Sequence, residues 1–469
     1  MSLSPGSILL NALGRFLGQS ATVDKGQPLI VQPDYYYKTD FGEQRVANAY
    51  TLFDLVNKYE IDASELETST ATGGTVTFDG TNSAVNLAVT ASNGSTARLR
   101  TSTYFRYQAG KEFVVKLTAT QNALVANQTR RLGMFDDADG VFFQTTDTAI
   151  SVNIRSSSSV TSQSIDRSVW NIDKLDGTGP SGKTLDITAG NIYEIHFQWL
   201  GVGAVRYYIN GDLVHVISNA GLYTGPYMRI AQLPLSWEII NTGASTISAM
   251  KVICASVLIM GGADPPAQVN TAFNPAARTV GTVTEVPVLS IRPKQNYAGI
   301  TNRALLYPTM LEVSCEGNRA GYRIALNPTL TGATFAATVP ATSRMDADIA
   351  ATAFASDGVT LLRGFLPGSN DGRIIDLRPI FNVLDRKLRR AAFNPANGDI
   401  LSIGMINENT SGNTTARASL VVREVGLCTR RLSTSSPGRG FSRRRGHGTS
   451  PFRAGTGSRS TSSTVRSSS

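Results

Sequence analysis

Residues 177–184 match a spacing that binds nucleotide phosphates in many proteins, because Gly-Thr-Gly-Pro-Ser-Gly-Lys-Thr satisfies G-x-x-x-x-G-K-T. That chemistry needs a buried strand before the loop and a helix directly after the lysine, whose free N–H groups face the phosphates. Residues 170–176 are mixed and polar, and residues 185–190 are too few for a helix before a glycine interrupts them. The surroundings therefore favour a Gly/Pro/Ser-rich loop between two strands over a nucleotide site.

A second motif places three carboxylates close together in the sequence. Glu60, Asp62 and Glu65 fit the E-x-D-x-x-E pattern that is similar to that of family-16 glycoside hydrolases. Retaining hydrolysis of this kind requires two carboxylates about 5 Å apart on one strand face inside a sandwich. Here the motif follows residues 47–58, whose apolar spacing suggests a short helix, and precedes the predicted sandwich. We therefore expect a turn or a helix cap, without glycosidase activity.

The remaining polar clusters predict no catalytic, metal-binding or cofactor-binding residue. Asp136, Asp137 and Asp139 offer oxygen atoms suited to Ca²⁺, but the distal Glu of a calcium loop is missing, so a tight turn between strands is favoured. His196 and His215 fall on predicted strands at polar-facing positions, where histidines usually lie at a surface or an interface.

The three cysteines, Cys254, Cys315 and Cys428, are widely spaced and form neither a metal-binding pattern nor a disulfide framework. Cys254 lies within an apolar run, which predicts a buried structural thiol.

Downstream of the loop, the sequence predicts a β-hairpin. Residues 194–199 alternate polar and apolar side chains, and residues 205–209 repeat the alternation. Asn210 and Gly211 then supply the two positive φ angles of a type I′ turn. A broad apolar strand followed by such a hairpin looks like part of a concanavalin/laminin-G-like sandwich.

Three sequence blocks in this part of the chain resemble a family of virion structural proteins found in tailed phages of aquatic bacteria and in some large DNA viruses. The blocks are residues 132–143, 170–182 and 197–203. The resemblance is clearest over about residues 95–245 and weaker over about 285–425, where residues 286–293 and 299–303 match. It implies a place in a virus particle rather than a reaction.

Short strand-forming segments separated by turn residues, with only 17% charged residues, are typical of an all-β protein. We predict a concanavalin/laminin-G-like jelly-roll sandwich followed by a second β-sandwich-like domain. The predicted parts are an N-terminal arm (1–68), the first sandwich (69–264), the second β domain (280–426) and a disordered Arg/Ser/Gly-rich tail (429–469). In the second domain we predict strands at 286–291, 311–315, 322–326, 359–365, 400–406 and 418–425, and one helix at 380–389.

The net charge of +9 over 469 residues belongs to the tail. Residues 429–469 contain nine Arg and no Lys, Asp or Glu, so that residues 1–428 carry no net charge. Such a segment can bind phosphate backbones without sequence specificity, dock on an acidic capsid surface, or have no partner. The N-terminus lacks the features of a secretion signal, and no membrane span is expected.

Two functions follow as hypotheses. The first is a non-enzymatic virion structural protein, such as a capsid decoration, fibre or tail-associated component, which assembles as a homo-oligomer with other virion proteins. The second is a glycan-binding host-adhesion module on the particle surface, with Tyr35–Tyr37 or Trp237 as candidates for stacking on sugar rings, although core packing is the expected role of Trp237.

Overall fold

The structure is a computed structural model, which describes residues 48–263, 267–336, 339–368, 370–383 and 386–426, together with two short strands at residues 19–22 and 30–33. Tyr35–Tyr37, Cys428 and the predicted tail at 429–469 lie outside the described residues.

Strands are numbered in chain order. The strands up to residue 260 are β1 (Gln19–Thr22), β2 (Ile30–Pro33), β3 (Ala49–Val56), β4 (Leu66–Ala71), β5 (Thr75–Asp79), β6 (Ala84–Val89), β7 (Thr96–Thr101), β8 (Phe113–Thr120), β9 (Gln128–Phe135), β10 (Gly140–Thr145), β11 (Ile150–Arg155), β12 (Gln163–Asp166), β13 (Asn191–Phe197), β14 (Val205–Ile209), β15 (Asp212–Ile217), β16 (Leu235–Asn241) and β17 (Ser248–Met260). The later strands are β18 (Ala267–Phe273), β19 (Arg278–Val280), β20 (Val286–Pro293), β21 (Asn296–Tyr297), β22 (Ile300–Thr301), β23 (Leu305–Glu316), β24 (Ala320–Leu326), β25 (Thr329–Thr331), β26 (Met345–Asp348), β27 (Ala353–Ser356), β28 (Val359–Leu366), β29 (Gly372–Asp376), β30 (Leu401–Asn407) and β31 (Thr414–Val425). Among the described residues, the helical elements are a 3-10 turn at Arg167–Val169 and a π-helical turn at Pro379–Val383.

The first sandwich consists of two antiparallel sheets. A seven-stranded sheet has the order β12-β11-β10-β9-β16-β7-β4, and an eight-stranded sheet has the order β15-β14-β13-β8-β17-β6-β5. Alternate side chains of both sheets point into one shared core, as the two-residue period of a strand requires. The predicted all-β class and sandwich architecture are thus confirmed.

Aromatic side chains fill the centre of this core. The ring of Phe143 on one sheet lies 5.1 Å from that of Tyr193 and 5.3 Å from that of Tyr207 on the other, between ring centroids. Trp237 is 0% exposed, which confirms core packing rather than sugar stacking as its role. At the predicted hairpin, Asn210 and Gly211 join β14 to β15. Their φ angles of 53° and 86° are the left-handed conformations that a type I′ turn requires.

The second sandwich also pairs two antiparallel sheets around its own core. One sheet has the order β18-β31-β23-β29, with β19 added beside β31, and the other has the order β26-β20-β30-β24-β28. The six strands predicted for this region coincide with β20, β23, β24, β28, β30 and β31.

The helix predicted at residues 47–58 is wrong, because Ala49–Val56 forms strand β3. The long strand β17 pairs with β6 through its first residues, and β3 occupies the same edge further along. This pairing buries Leu55, which is 6% exposed. A distant partner thus overrides the local helical spacing, and residues 49–71 belong to the first sandwich rather than to a separate arm.

The helix predicted at residues 380–389 is also wrong. The structure has only the π-helical turn Pro379–Val383, and residues 384–385 lie outside the described residues. Leu388 instead exchanges two backbone hydrogen bonds with Leu306 at 2.9 and 3.0 Å, and its side chain is fully buried. The apolar spacing therefore reflects burial of a short extended segment against β23.

The two sandwiches meet at a polar joint, made of Glu65 and Glu67 from the first and Arg389, Ala392 and Phe393 from the second. Arg389 Nη1 donates to Glu65 Oε2 at 3.0 Å. The carboxylate of Glu67 accepts the backbone N–H groups of Ala392, at 2.9 Å, and Phe393, at 3.3 Å. Hydrogen bonds to charged groups are the stronger ones in proteins, so Glu67 holds the segment at residues 392–393 in place.

Cation–π contacts extend the joint. The guanidinium of Arg303 lies 3.9 Å from the ring centroid of Tyr104, and that of Arg100 lies 4.5 Å from the ring centroid of Phe393. Burial raises the pKa of Tyr104 to about 12 and lowers the pKa of Arg303. Water is thus largely excluded here, which strengthens such contacts.

We predict that Glu67→Ala loosens the joint. The two N–H groups of residues 392 and 393 lose their acceptor, so their hydrogen exchange should accelerate and unfolding should become easier by about 1–2 kcal/mol. Hydrogen-exchange mass spectrometry and denaturant unfolding measure both effects. Glu60→Ala, which removes an exposed carboxylate nearby, serves as the control. Equal exchange rates in the two variants would contradict the role of Glu67.

Candidate functional site

The structure confirms that residues 177–184 form a loop without a phosphate-binding helix. Asp176 and Thr184 form an antiparallel bridge, and the N–H of Gly177 donates to the carbonyl of Lys183 at 3.0 Å. The N–H of Leu185 returns to the carbonyl of Leu175 at 2.8 Å, and β13 follows. The lysine is therefore followed by extended chain and turn, and no helix dipole points at the loop.

Asp173 holds this loop in shape. Its two carboxylate oxygens accept the N–H groups of Leu175 and Ser181, each at 2.8 Å. Burial by itself raises the pKa of Asp173, but these hydrogen bonds outweigh it and lower the pKa overall. A Cβ on Gly179 would lie 2.1 Å from Asp173 Oδ1, so this position requires glycine. The Gly-rich loop therefore wraps around the carboxylate of Asp173, and the N–H of Ser181 bonds this carboxylate instead of a phosphate.

Lys183 has a partner within the chain. Its Nζ lies 2.6 Å from Asp212 Oδ2 at the β14–β15 turn, and its side chain is 57% exposed. An exposed pair of this kind contributes little to stability.

The segment before the loop closes one edge of the eight-stranded sheet. Asn171 bonds β15 at three points: its N–H donates to His215 Nδ1 at 3.0 Å, its Nδ2 donates to the carbonyl of Val216 at 2.9 Å, and its Oδ1 accepts the N–H of Val216 at 3.0 Å. The N–H groups of residues 172–173 add bonds to the carbonyl of Val214 at 3.3 and 3.1 Å. An edge that would otherwise expose backbone groups is thereby covered.

His215 is buried in this contact, with 5% exposure, so the predicted surface position is wrong. Burial lowers its pKa to about 4, because the charged imidazolium would lose its hydration there. His196, by contrast, is half-buried on the outer face of the same sheet, where it bonds Glu194 Oε2 at 3.2 Å. The hydrogen bond with His196 is the main cause that lowers the pKa of Glu194.

The E-x-D-x-x-E motif lies in the loop between β3 and β4, off any strand. Asp62 accepts the N–H and the hydroxyl of Ser64 at 2.8 and 2.6 Å, as in an Asx turn, while Glu65 pairs with Arg389 in the joint. Its carboxylates do not share the strand face that glycoside hydrolysis requires.

A cleft of about 730 Å³ lies beside the joint, lined among others by Asp62, Glu65, Glu67 and Asp399. Each of these carboxylates is already bonded within the chain. Asp399 accepts the N–H of Arg389 at 3.0 Å and the side-chain amide of Asn327 at 2.9 Å. Glu65 and Glu67 therefore connect the two sandwiches, whereas Asp62 and Asp399 each bond within one of them.

Asp136, Asp137 and Asp139 form the predicted turn, between β9 and β10, and their carboxylates point to different partners. Asp136 caps the turn by accepting two N–H groups at 2.9 Å, and Asp137 pairs with Arg100 at 3.2 Å. The buried Asp139 bonds Ser157 through N–H and hydroxyl at 2.9 and 2.7 Å.

Over the described ranges, no three His, Cys, Asp or Glu side chains cluster closely enough to hold a metal ion. In the same ranges, no helix has the length and apolarity needed to cross a bilayer. Cys315 is a buried free thiol, and Cys254 is a free thiol that is only half-buried, so its predicted full burial is wrong.

The outer face of the seven-stranded sheet presents a polar depression that we call the amide groove. Its volume is about 240 Å³, and its polar walls come from Arg131, Gln144, Asn153, Arg155 and Gln163. Phe142 forms its floor, with the guanidinium of Arg155 at 5.1 Å and that of Arg131 at 5.9 Å from the ring centroid.

Each side-chain amide in the groove uses one group internally. Gln144 Oε1 accepts from Arg131 Nε at 2.6 Å, Asn153 Nδ2 donates to Ser151, and Gln163 Nε2 donates to Asn219. Gln144 Nε2 and Asn153 Oδ1 have no hydrogen bond to any residue that the structure describes, whereas Gln163 lies opposite the core residue Ile154 and so points to the inner side of the sheet. Gln144, which is half-buried, therefore presents an amide N–H group to the groove, while Asn153 is 4% exposed.

Arg155 is the most desolvated cation of the groove. Burial is the main cause that lowers its pKa, and the neighbouring Arg131 lowers it further. Arg131 pairs with Glu238, whereas Arg155 Nη1 donates to the backbone carbonyl of Asp136, and the charges of Glu238, Asp137 and Asp136 partly offset the lowering of the Arg155 pKa. The sequence did not predict this site, because its residues come from four strands whose order only the fold determines. The polar residues at outward positions of β10 and β11 are the local sequence signal that could have indicated the groove.

Comparison with protein-family models and with curated proteins finds no match. Among solved structures, the chain is similar to an endo-1,3-β-glucanase from Streptomyces sioyaensis, at 10% identity over 46% of this chain and 97% of that chain, with a TM-score of 0.34. It is also similar to a β-1,3-glucanase from Mycobacterium marinum (10% identity, 44% and 98%, TM-score 0.30) and to the carbohydrate recognition domain of Emp46p (10%, 45% and 98%, 0.27). Likenesses of this size assign no activity or ligand to this chain.

We predict opposite sensitivities for two residues of the loop region. Asp173→Ala leaves one buried and one part-buried N–H group without an acceptor and should cost about 2–3 kcal/mol of unfolding free energy, whereas Lys183→Ala should cost less than about 1 kcal/mol. Urea unfolding of both variants measures the difference. A larger loss in Lys183→Ala, or stabilisation of the wild type by ATP that this variant abolishes, would restore the nucleotide hypothesis.

We predict that His215 makes stability fall in mild acid. Its pKa is about 4 in the folded chain against an ordinary 6.5, so between these values only the unfolded chain takes up the proton and stability decreases as the pH falls. The full effect should approach about 2–3 kcal/mol. In His215→Asn, which keeps an acceptor for the N–H of Asn171, this part of the pH dependence should vanish. Thermal unfolding at pH 7, 5.5 and 4.5 provides the measurement, and parallel curves for the two proteins would refute the assignment.

Proposed function

We propose that this chain is a non-enzymatic glycan-binding protein and that the amide groove binds the glycan. The observation that supports it most is the set of oriented amide and guanidinium groups around Phe142 on an exposed sheet face. Sugar hydroxyls both donate and accept hydrogen bonds, so paired amide donors and acceptors match them. Because the guanidinium groups of Arg131 and Arg155 line the groove, and the described residues that line it include no carboxylate, a sugar that bears a carboxylate or sulfate should bind best.

The chemistry of the groove favours binding without cleavage. Glycoside hydrolysis uses a pair of carboxyl groups flanking the scissile bond. The described residues that line the groove include neither Asp nor Glu. The carboxylates of the hydrolase-like motif lie elsewhere, in the turn and the joint.

A place on a virus particle is the second part of the proposal, and it is supported by the sequence resemblance. Residues 132–143, the first of the resembling blocks, form the β9–β10 hairpin that contributes Phe142 to the groove. Residues 170–182, the second block, close the edge of the neighbouring sheet. A particle protein with a glycan-binding face would act in host adhesion, beside other virion proteins. Binding of nucleic acid by the Arg-rich tail stays a prediction.

We predict that the full chain binds acidic glycans on a glycan array and releases no shorter sugar from them. Arg155→Gln and Gln144→Ala should each weaken binding roughly tenfold, since each removes a hydrogen-bonding group worth about 1.4 kcal/mol. Lys116→Ala, on the outer face of the other sheet, is the matched control and should bind as the wild type does. Circular dichroism verifies that all variants fold.

Unchanged affinity in both groove variants would remove the groove from the proposal. An array without any bound glycan, combined with co-sedimentation of the chain with virus particles, would contradict glycan binding and favour a purely structural virion role.

A further inference from the structure

The second sandwich exposes a band of apolar side chains on the outer face of its β18-β31-β23-β29 sheet. Val269 is 65% exposed, Phe273 48%, Met310 41% and Ile374 70%. Val421 lies directly opposite Met310 and connects the two halves of the band. We call these five residues the apolar band. Four large apolar side chains exposed on one sheet face, interleaved with polar and charged ones, have the composition of a protein–protein interface.

The register of the sheet places the ends of the band symmetrically. In one cross-strand row, Phe273 on β18 faces Ser419, which faces Glu312, which faces Ile374 on β29. Phe273 and Ile374 therefore lie at equal distances on either side of the line between β31 and β23. Met310 and Val421 lie on either side of that same line in the next row.

Charges next to the band follow the same symmetry. Arg417 on β31 lies opposite Ser314 on β23, and Glu312 and Glu316 flank Ser314 on the same outward side of the strand. Within the described part of the chain, none of these three charged side chains has an ion pair within 4 Å. A depression of about 410 Å³, lined by Phe273, Glu312 and Arg417 among others, opens beside them.

We infer that this face binds the same face of a second copy of the chain, around a two-fold axis that runs parallel to the strands between β31 and β23. That operation places the β31 side of one copy over the β23 side of the other. Ile374 then lies over Phe273 of the second copy, beside the depression, and Met310 lies over its Val421. Arg417 lies over Ser314 of the second copy, between Glu312 and Glu316.

The complementarity of charge identifies the occupant as a second copy. A two-fold contact must be self-complementary, because each residue meets the image of its neighbour. Here β31 carries Arg417 and β23 carries Glu312 and Glu316, so the two-fold operation pairs these opposite charges twice while burying both apolar bands; Arg423, also on β31, lies over the ring of Tyr307. The inference does not depend on glycan binding, because the amide groove belongs to the other sandwich.

Sedimentation velocity of the full chain, from about 1 to 100 μM, tests the contact over the range in which micromolar dissociation constants are resolved. The wild type should sediment as a dimer at the upper concentrations. Ile374→Glu, which buries an unpaired charge against Phe273, should shift dissociation to at least tenfold higher concentration. Ile247→Glu places the same charge at an exposed apolar residue of the first sandwich, 78% exposed, and should leave the dimer intact.

Charge reversal provides the sharper test. Arg417→Glu in one preparation, and Glu312→Lys with Glu316→Lys in another, should each dissociate into monomers, because like charges then face each other. Mixed in equal amounts, the two variants should form a heterodimer. In one half of its interface the introduced Glu faces the introduced Lys residues, and in the other half the native Arg417 faces the native Glu312 and Glu316.

A wild type that remains monomeric at 100 μM would overturn the inference, as would a dimer that Ile374→Glu leaves unchanged. Monomeric charge variants that fail to associate when mixed would also overturn it, because another surface or another partner chain would then explain the band.

Discussion

The closure of one sheet edge is the constraint on which the first sandwich depends. Without a covering segment, β15 would expose the backbone groups on its outer side, and such edges invite pairing with other chains. Asn171 bonds both the N–H and the carbonyl of Val216, and its own N–H engages the buried ring of His215. Two residues further along the chain, the carboxylate of Asp173 accepts hydrogen bonds from N–H groups before and within the Gly-rich loop and holds its shape. The phosphate-loop pattern is thus a by-product of edge closure.

Two carboxylates of the hydrolase-like motif are engaged in a turn and in the joint between the sandwiches. Glu65 of the motif is paired with Arg389, and Glu67, two residues beyond the motif, accepts two N–H groups from the second sandwich. The hydrogen bonds of these two carboxylates orient the two sandwiches. The cleft beside them is the space left open next to the joint.

The amide groove and the apolar band, the two faces proposed to bind partners, lie on different sandwiches and differ in chemistry. The amide groove is polar and cationic, with Arg155 desolvated above Phe142, and suits a hydroxyl-rich, acidic ligand. The apolar band is built from Val269, Phe273, Met310, Val421 and Ile374 and suits a protein surface. Because they lie on different sandwiches, a protein of this construction can assemble through one face and present the other to a ligand.

The sequence by itself determined what short-range geometry controls. Asn210-Gly211 required a type I′ turn, and the residues after Lys183 could not form a helix, so the hairpin and the loop were predicted correctly. Tertiary structure decided the rest, because the deciding partners lie far away in the chain. Residues 49–56 pair with β17 about 200 residues later, and Leu388 pairs with Leu306, which overrode two helical patterns. The groove and the band combine side chains from four strands each, and only strand order and register bring those side chains onto one face.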